Sequence, residues 1–281
     1  MERLLVGLDF SKGSLHAFEY AVRIATATKA HIRLVWVDNF SSREMAFSKN
    51  VNAGRVDAKE NLEELIEEYN HKPEINGIDY QLLKGKVGPE IARHAKEYGA
   101  DLILTGSHGI TGYEEYWIGS NANRIVIYSN CPVITVRYDY EIKDRINRIL
   151  IPVDNTRETI QKVPYAANLA ELFGSEVYLL GIYATILKSM HKKVDKLVQE
   201  AKNYLDIRGI SYQTNCIETE NITRDILRFS DENAIELIAI MTEQETTANN
   251  MLLGKYAHQI VNNSPVPVLS VHAVEKYSLT S

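Results

Sequence analysis

Residues 101–137, DLILTGSHGITGYEEYWIGSNANRIVIYSNCPVITVR, decide the fold. The apolar run at 102–104 reads as a strand buried on both faces, as strands of parallel sheets are. Gly106 and Gly109 follow at once, then a polar and aromatic loop. From Gly119 and Ser120 onward, Ala122, Ile125 and Val126 recur at helical spacing, so a helix begins there. It stops at Ser129 and Asn130, and after Pro132 the β-branched run Val133–Val136 reads as another strand. Strand, glycine loop, helix, strand is an arrangement suited to an anion. Glycine lets the backbone approach phosphate oxygens, and a helix start offers unpaired N–H groups and the positive end of its dipole. Ser120 adds a hydroxyl donor and reads as the N-cap. Turn glycines and a capping serine would give the same letters. What favours a ligand is the set spacing: Gly-x-x-Gly, nine residues, then Gly-Ser.

The chain on either side carries the same alternation. Residues 4–9, LLVGLD, are an apolar run ending in a carboxylate, which puts Asp9 at the carboxyl end of a first strand, where open α/β sheets bind ligands. Ser11 and Ser14 offer N-caps for a helix striped by Phe18, Ala21, Val22 and Ala25. Residues 31–37 read as the second strand and 38–54 as a polar, irregular loop. Leu62, Leu65 and Ile66 mark a second helix, residues 80–83 a third strand, and Pro89 the start of a third helix. Strands alternating with helices predict a doubly wound, Rossmann-like parallel sheet with helices on both faces.

Residues 139–147 are charged and lack an apolar period, and are expected to link domains spanning 1–138 and 148–281. After them the pattern restarts. ILIPVD at 149–154 sets Asp154 in the place of Asp9, and 177–182 repeats the second strand. GISYQ at 209–213 echoes GIDYQ at 77–81, AIELI at 234–238 echoes GADLI at 99–103, and PVLSV at 267–271 echoes PVITV at 132–136. Two tandem α/β domains, each a five-stranded parallel sheet, are expected. The glycine motif is not repeated. Aligned without a gap, Met241 replaces Gly106, Gln244 replaces Gly109 and Lys255 replaces Ser120, and only Gly119 persists, as Gly254. Glu243 and Glu245 bring negative charge where a phosphate would lie.

Composition bounds the function. A chain of 281 residues holds about two domains, and 45% hydrophobic with 24% charged residues is ordinary for a globular protein. A net charge of −6 argues against a broad nucleic-acid surface. Two unpaired cysteines, Cys131 and Cys216, indicate neither a disulfide framework nor a zinc site. No apolar run reaches membrane-spanning length, and Met1-Glu2-Arg3 leads directly into a strand, so a cytoplasmic protein is expected.

With these residues in view, the chain resembles the universal stress proteins. Nucleotide-binding members carry Gly-x-x-Gly, nine residues, Gly, then Ser or Thr, matched here by Gly106, Gly109, Gly119 and Ser120. The wording GSHG, IGS and NCPVITV matches as well. The resemblance implies two domains like the adenine nucleotide alpha hydrolases, with ATP or AMP, with or without magnesium, in the first. It implies a site built from Asp9, Val37, Gly106, Ser107, His108, Gly109, Gly119, Ser120 and Asn121, with Asp9 touching the nucleotide or its metal and the Val37 backbone reading adenine. Gly85 matches a further pocket glycine. Plainer alternatives stand beside these: Asp9 as a helix cap, Gly85 as a turn, His108 as a loop residue, and Tyr113, Tyr116 and Trp117 as packing residues. The implied role is a regulatory or sensor module with at most slow ATP hydrolysis, since no nucleophile stands beside a positioned base. One rival is an adenine-nucleotide-using enzyme, against which residues 8–16, LDFSKGSLH, lack a Ser-Gly-Gly-type loop. The other is an interaction module that binds no nucleotide. Single-domain relatives pair through the last strand, so the resemblance also implies an intramolecular pseudo-dimer, or else a homodimer.

Overall fold

The computed structural model describes residues 1–39, 51–69, 75–107, 119–242, 244–247 and 250–274. The chain divides into two units, Met1–Ile142 and Lys143–Ser281.

The uninterrupted apolar runs become the central strands. The first unit runs β1 (Arg3–Gly7), α1 (Lys12–Thr28), β2 (His31–Asp38), α2 (Val51–Tyr69), β3 (Ile78–Lys84), α3 (Val87–Tyr98), β4 (Leu102–Gly106), α4 (Ser120–Tyr128) and β5 (Val133–Val136). Its sheet has the order β3-β2-β1-β4-β5, with every pair parallel. Leu4, Leu5 and Val6 of β1 and Leu102, Ile103 and Leu104 of β4 are fully buried, as a sheet covered on both faces requires. Ile91 of α3 and Ile125 of α4 lie over Gly7, with Thr105 Oγ1 beside it. Gly106, the next residue after Thr105 and so on the opposite face, has Gly13 of α1 over it. Hence α1 covers one face and α3 with α4 the other.

The second unit repeats this with β6 (Arg148–Val153), a 3-10 turn (Arg157–Lys162), α5 (Val163–Phe173), β7 (Glu176–Tyr183), α6 (Lys188–Ile207), β8 (Tyr212–Glu218), α7 (Ile222–Glu232), β9 (Leu237–Thr242), β10 (Gln244–Thr247), β11 (Asn250–Leu253), α8 (Lys255–Asn263) and β12 (Val268–His272). The order β8-β7-β6-β9-β12 is again parallel throughout. A carboxylate closes each sheet at its amino end. Asp101 Oδ2 accepts the N–H groups of Glu2 at 2.6 Å and Arg3 at 3.0 Å. Glu236 takes the same role before β9, accepting from the Asn147 N–H and from Lys143 Nζ at 2.8 Å.

Three expectations change. Residues 51–54, read as part of an irregular loop, open α2. Asn52 and Gly54 give that stretch no helical signal in the letters, and the apolar positions begin further along, where Ala58 and Leu62, one turn apart, are buried; residues 40–50 lie outside the described residues. The N-cap of α4 is Gly119, with φ −55° and ψ 141°, and Ser120 is the first helical residue rather than the cap. In the second unit the stretch after β9 is an antiparallel hairpin, β10 paired with β11 in the register Gln244↔Leu253 to Thr247↔Asn250. A two-residue connection suits such a hairpin.

Candidate functional site

In the first unit the carboxyl ends of β1 and β4 lie side by side, and the turn after β1 is tightly tied. The Asp9 N–H donates to Ser14 Oγ at 3.2 Å, Asp9 Oδ1 accepts the Ser11 N–H at 3.0 Å, and Ser11 Oγ accepts the Ser14 N–H at 3.2 Å. Ser11 is therefore the N-cap of α1, and the Asp9 carboxylate is not the cap itself but braces it by accepting the Ser11 N–H. Its Oδ2 has no partner among the described residues. Phe10, between them, is held at φ 61°. For a bulky residue this left-handed conformation costs roughly 1–2 kcal/mol.

Gly106 ends β4 against this turn. A Cβ there would lie 2.4 Å from the Gly13 carbonyl carbon and 2.8 Å from the Ser14 nitrogen. The residue is thus glycine first because the first turn of α1 rests directly on it, a packing requirement independent of any ligand. Ser107 is buried; its N–H donates to the Val136 carbonyl at 2.9 Å, and its carbonyl accepts the Gly119 N–H at 2.6 Å. That last bond joins the two ends of the loop between β4 and α4. The Gly119 carbonyl accepts the Asn123 N–H at 3.0 Å, and the amides of Ser120, Asn121 and Ala122 at the helix start have no partner among the described residues. Ser120 is exposed and Asn121 half-buried.

Val37 lies next to last in β2, half-buried and in register with Leu83 of β3. The β2 and β1 ends meet where the Leu8 N–H donates to the Val35 carbonyl at 2.9 Å. Gly85, at φ 138°, donates to the Asp38 carbonyl at 2.9 Å in the turn after β3, so the turn alone accounts for it. The structure therefore gathers Asp9, Gly106, Ser107, Gly119, Ser120 and Asn121 at one end of the sheet, with Val37 on the neighbouring strand. His108, Gly109, Tyr113, Tyr116 and Trp117 lie outside the described residues. Sequence reasoning missed Gly13, Phe10 and Asn123. Gly13 could have been found as a glycine in a first helical turn, a residue type that helices otherwise avoid. The Asn123 Oδ1, buried with no partner among the described residues, left no signal in the letters.

The universal stress protein family model matches residues 1–137 and again 145–272. The chain belongs to the universal stress protein family. It is 29% identical to the universal stress protein YxiE of Bacillus subtilis over 149 residues, 48% of this chain and 98% of that one. The universal stress protein Slr1230 of Synechocystis is similar from end to end, 18% identical over 96% of this chain and 99% of its own. Among solved structures, a universal stress protein from Archaeoglobus fulgidus shares the fold with a TM-score of 0.78, 19% identity and 97% coverage of both chains.

The second universal stress protein domain keeps the braced turn. Asp154 Oδ1 accepts the Thr156 N–H at 2.8 Å, and the Asp154 N–H donates to Thr159 Oγ1 at 3.2 Å. Gly254 caps α8 at φ −54° and ψ 146°, matching Gly119. The packing beneath differs. Met241 stands where Gly106 does, Glu158 where Gly13 does, and the helix begins as a 3-10 turn. Lys162 replaces Ala17, is 3% exposed, and donates to Thr159 Oγ1 at 3.0 Å. Burial pushes its ammonium down from 10.5 to about 8, although the Asp154 carboxylate pulls the other way. The second domain thus has Met241 and Glu158 at the two glycine positions and a buried Lys162 one turn further along. Among the described residues no cluster of metal-ligating side chains occurs, and no helix is long and apolar enough to cross a membrane.

Proposed function

We propose that the first domain binds an adenine nucleotide, ATP or AMP, at the carboxyl end of its sheet, and that the protein works in the cytoplasm as a regulatory or sensor module rather than a fast enzyme. The observation that carries this reading is the Ser107–Gly119 bond. It sets the ends of the glycine loop at the start of α4, where the amides of Ser120, Asn121 and Ala122 have no partner among the described residues. Phosphate oxygens match that set of donors. The left-handed Phe10 at the same crevice supports a functional site, because strain of this kind gathers at ligand-binding positions. Magnesium fits as a companion of the phosphates, held through the unpaired Oδ2 of Asp9, since it usually takes one or two carboxylates plus phosphate. The second domain keeps the fold without the glycines, which favours a ligand-free, interaction role for that half. On the resemblance alone, the reading also includes an intramolecular pseudo-dimer of the two repeats, for which light scattering should give one chain per particle; a homodimer would move the pairing between chains.

Gly119→Asp tests the site cleanly. The φ of −55° is open to any residue, and aspartate is a favoured N-cap that suits the helix dipole, so α4 should hold. The new carboxylate would face the phosphates. Calorimetry with ATP should show affinity at least about tenfold weaker, the scale of one lost charge-assisted hydrogen bond. Unchanged affinity in the folded variant, or no nucleotide binding by the parent protein, would overturn the reading.

A further inference from the structure

One buried group in the first domain has no part in the nucleotide site. His94 lies on the sheet-facing side of α3 between Ile91 and Ala95, 9% exposed. Its Nε2 is buried with no hydrogen-bond partner among the described residues. The ring stacks parallel to Tyr98, with centroids 6.3 Å apart. The Arg33 guanidinium of β2 sits 4.1 Å from the centre of the same Tyr98 ring.

The neutral ring tolerates this place and the charged ring does not. With the proton on Nδ1, Nε2 is a lone pair without a donor, a smaller cost than burying the charged ring. Protonation would put an N–H donor there with nothing to accept it and a positive charge beside Arg33. Burial first, and then Arg33, hold the imidazolium below the ordinary value of 6.5. The other charged or titratable groups facing the cluster leave that sign unchanged. From α3, Arg93 opposes protonation and Glu97 favours it, while the two pair with each other at 2.7 Å. From β3, Asp79 favours it, but its carboxylate is engaged by Arg33 and stands 3.9 Å from His31 Nε2. His31 of β2 bonds the Tyr98 hydroxyl at 2.7 Å through Nδ1, and Arg3 of β1 bonds the Tyr98 carbonyl at 2.8 Å. From α4, Arg124 meets Gly88 through its Cβ and backbone.

That Arg124 contact gives the cluster its reach. A Cβ at Gly88 would lie 2.6 Å from Arg124 Cβ and 2.9 Å from its carbonyl carbon, so α3 and α4 touch backbone to backbone. The helix whose start is the candidate anion-facing end is seated on the helix that carries His94. The second domain has Phe229 at this position, buried and edge-on to Tyr178, so a ring without a titrating nitrogen satisfies the same packing.

We propose that His94 makes the first domain proton-sensitive: its protonation releases α3 from the sheet and, through the Gly88–Arg124 contact, unseats α4. The device does not depend on which ligand the domain takes. Native-state hydrogen exchange, corrected for intrinsic rates, tests it on the full chain without nucleotide. In the parent protein the opening constant of α3 and α4 amides should rise by up to about tenfold per pH unit below roughly 6.5, because the open form takes up a proton that the closed form refuses. In His94→Phe this rise should vanish while His31 and Asp79 remain. Parallel profiles in parent and variant would overturn the proposal, and a response of α3 without α4 would remove its second half. Should the variant not fold, the NMR titration of His94 in the parent protein decides: a midpoint clearly below 6.5 supports the sensor, and one at or above 6.5 ends it.

Discussion

At the scale of single residues, the two domains answer one question differently: how the first helical turn meets the fourth strand. In the first, Gly13 on Gly106 lets backbone touch backbone. In the second, Met241 and Glu158 stand at those two positions, and Lys162, one turn further along, is buried. The lysine charge is expensive there. Lowering its pKa from 10.5 to about 8 corresponds to on the order of 3 kcal/mol against the folded state at neutral pH. The sign follows from proton counting. Between about 8 and 10.5 the unfolded chain holds the proton more firmly, so stability climbs with pH across that window, and the cost is complete below it. Lys162→Met should therefore raise the urea midpoint at pH 7, an advantage shrinking toward pH 10, since Thr159 Oγ1 still accepts the Asp154 N–H. A variant less stable than the parent at pH 7 would show that the ammonium has a stronger partner than Thr159. Little of this was legible in the letters. The Gly106-to-Met241 exchange reads as a lost phosphate contact, and only the coordinates add that Gly106 must accommodate Gly13. Lys162 gives no warning either, because a lysine in an amphipathic segment ordinarily belongs to the solvated face.

At the scale of elements, reading was easier because a buried parallel strand announces itself by continuous β-branched and leucine runs. Val133–Val136 and the starts and ends of β1 and β4 follow from such runs within a residue or two. Elements without an apolar period did not announce themselves: residues 51–54, the first turn of α2, carry Asn52 and Gly54 and no apolar stripe, and the β10–β11 hairpin has a composition equally suited to a loop. The carboxylate ties at the amino ends are a repeat visible in both sequence and structure, Asp101 in one domain and Glu236 in the other. Burial alone would push the Glu236 carboxyl up, but the Lys143 ammonium and the Asn147 N–H outweigh it and hold it below the ordinary 4.5. The stabilisation is therefore present above about pH 4.5 and lost as pH falls through the lowered value. Glu236→Ala should cost roughly 1–3 kcal/mol at pH 7, because the Asn147 N–H is left without its acceptor. The deficit should fade on acidification. A deficit that stayed constant to pH 3 would mean that packing, not the charge, was lost.

At the scale of the whole molecule, the duplication gives two crevices of one topology, and the proposed nucleotide should occupy one of them. Three differences argue this independently. An anion-cradling loop works by aiming backbone N–H groups at oxygens, and in the second domain the stretch after β9 engages its backbone in the β10–β11 ladder instead. Beneath that stretch Met241 puts a side chain where the first domain has none. Of the lysines the second domain adds, Lys255 in place of Ser120 is exposed at the helix start, while Lys162 lies under Thr159 at 3% exposure, too deep to meet a phosphate at the crevice. What persists, the braced Asp154 turn and the Gly254 cap, is the part needed to fold the βαβ crossover whether or not a ligand comes. Calorimetric titration of the full chain with ATP should therefore give one site per chain, and protein purified without added ligand should release at most one equivalent of nucleotide on extraction. Gly119→Asp should abolish that site, whereas Gly254→Asp, which carries the same helix-capping logic into the second domain, should leave it unchanged. Two equivalent sites, or a loss of binding with Gly254→Asp in a folded protein, would mean that the second crevice binds nucleotide by donors other than the glycine loop.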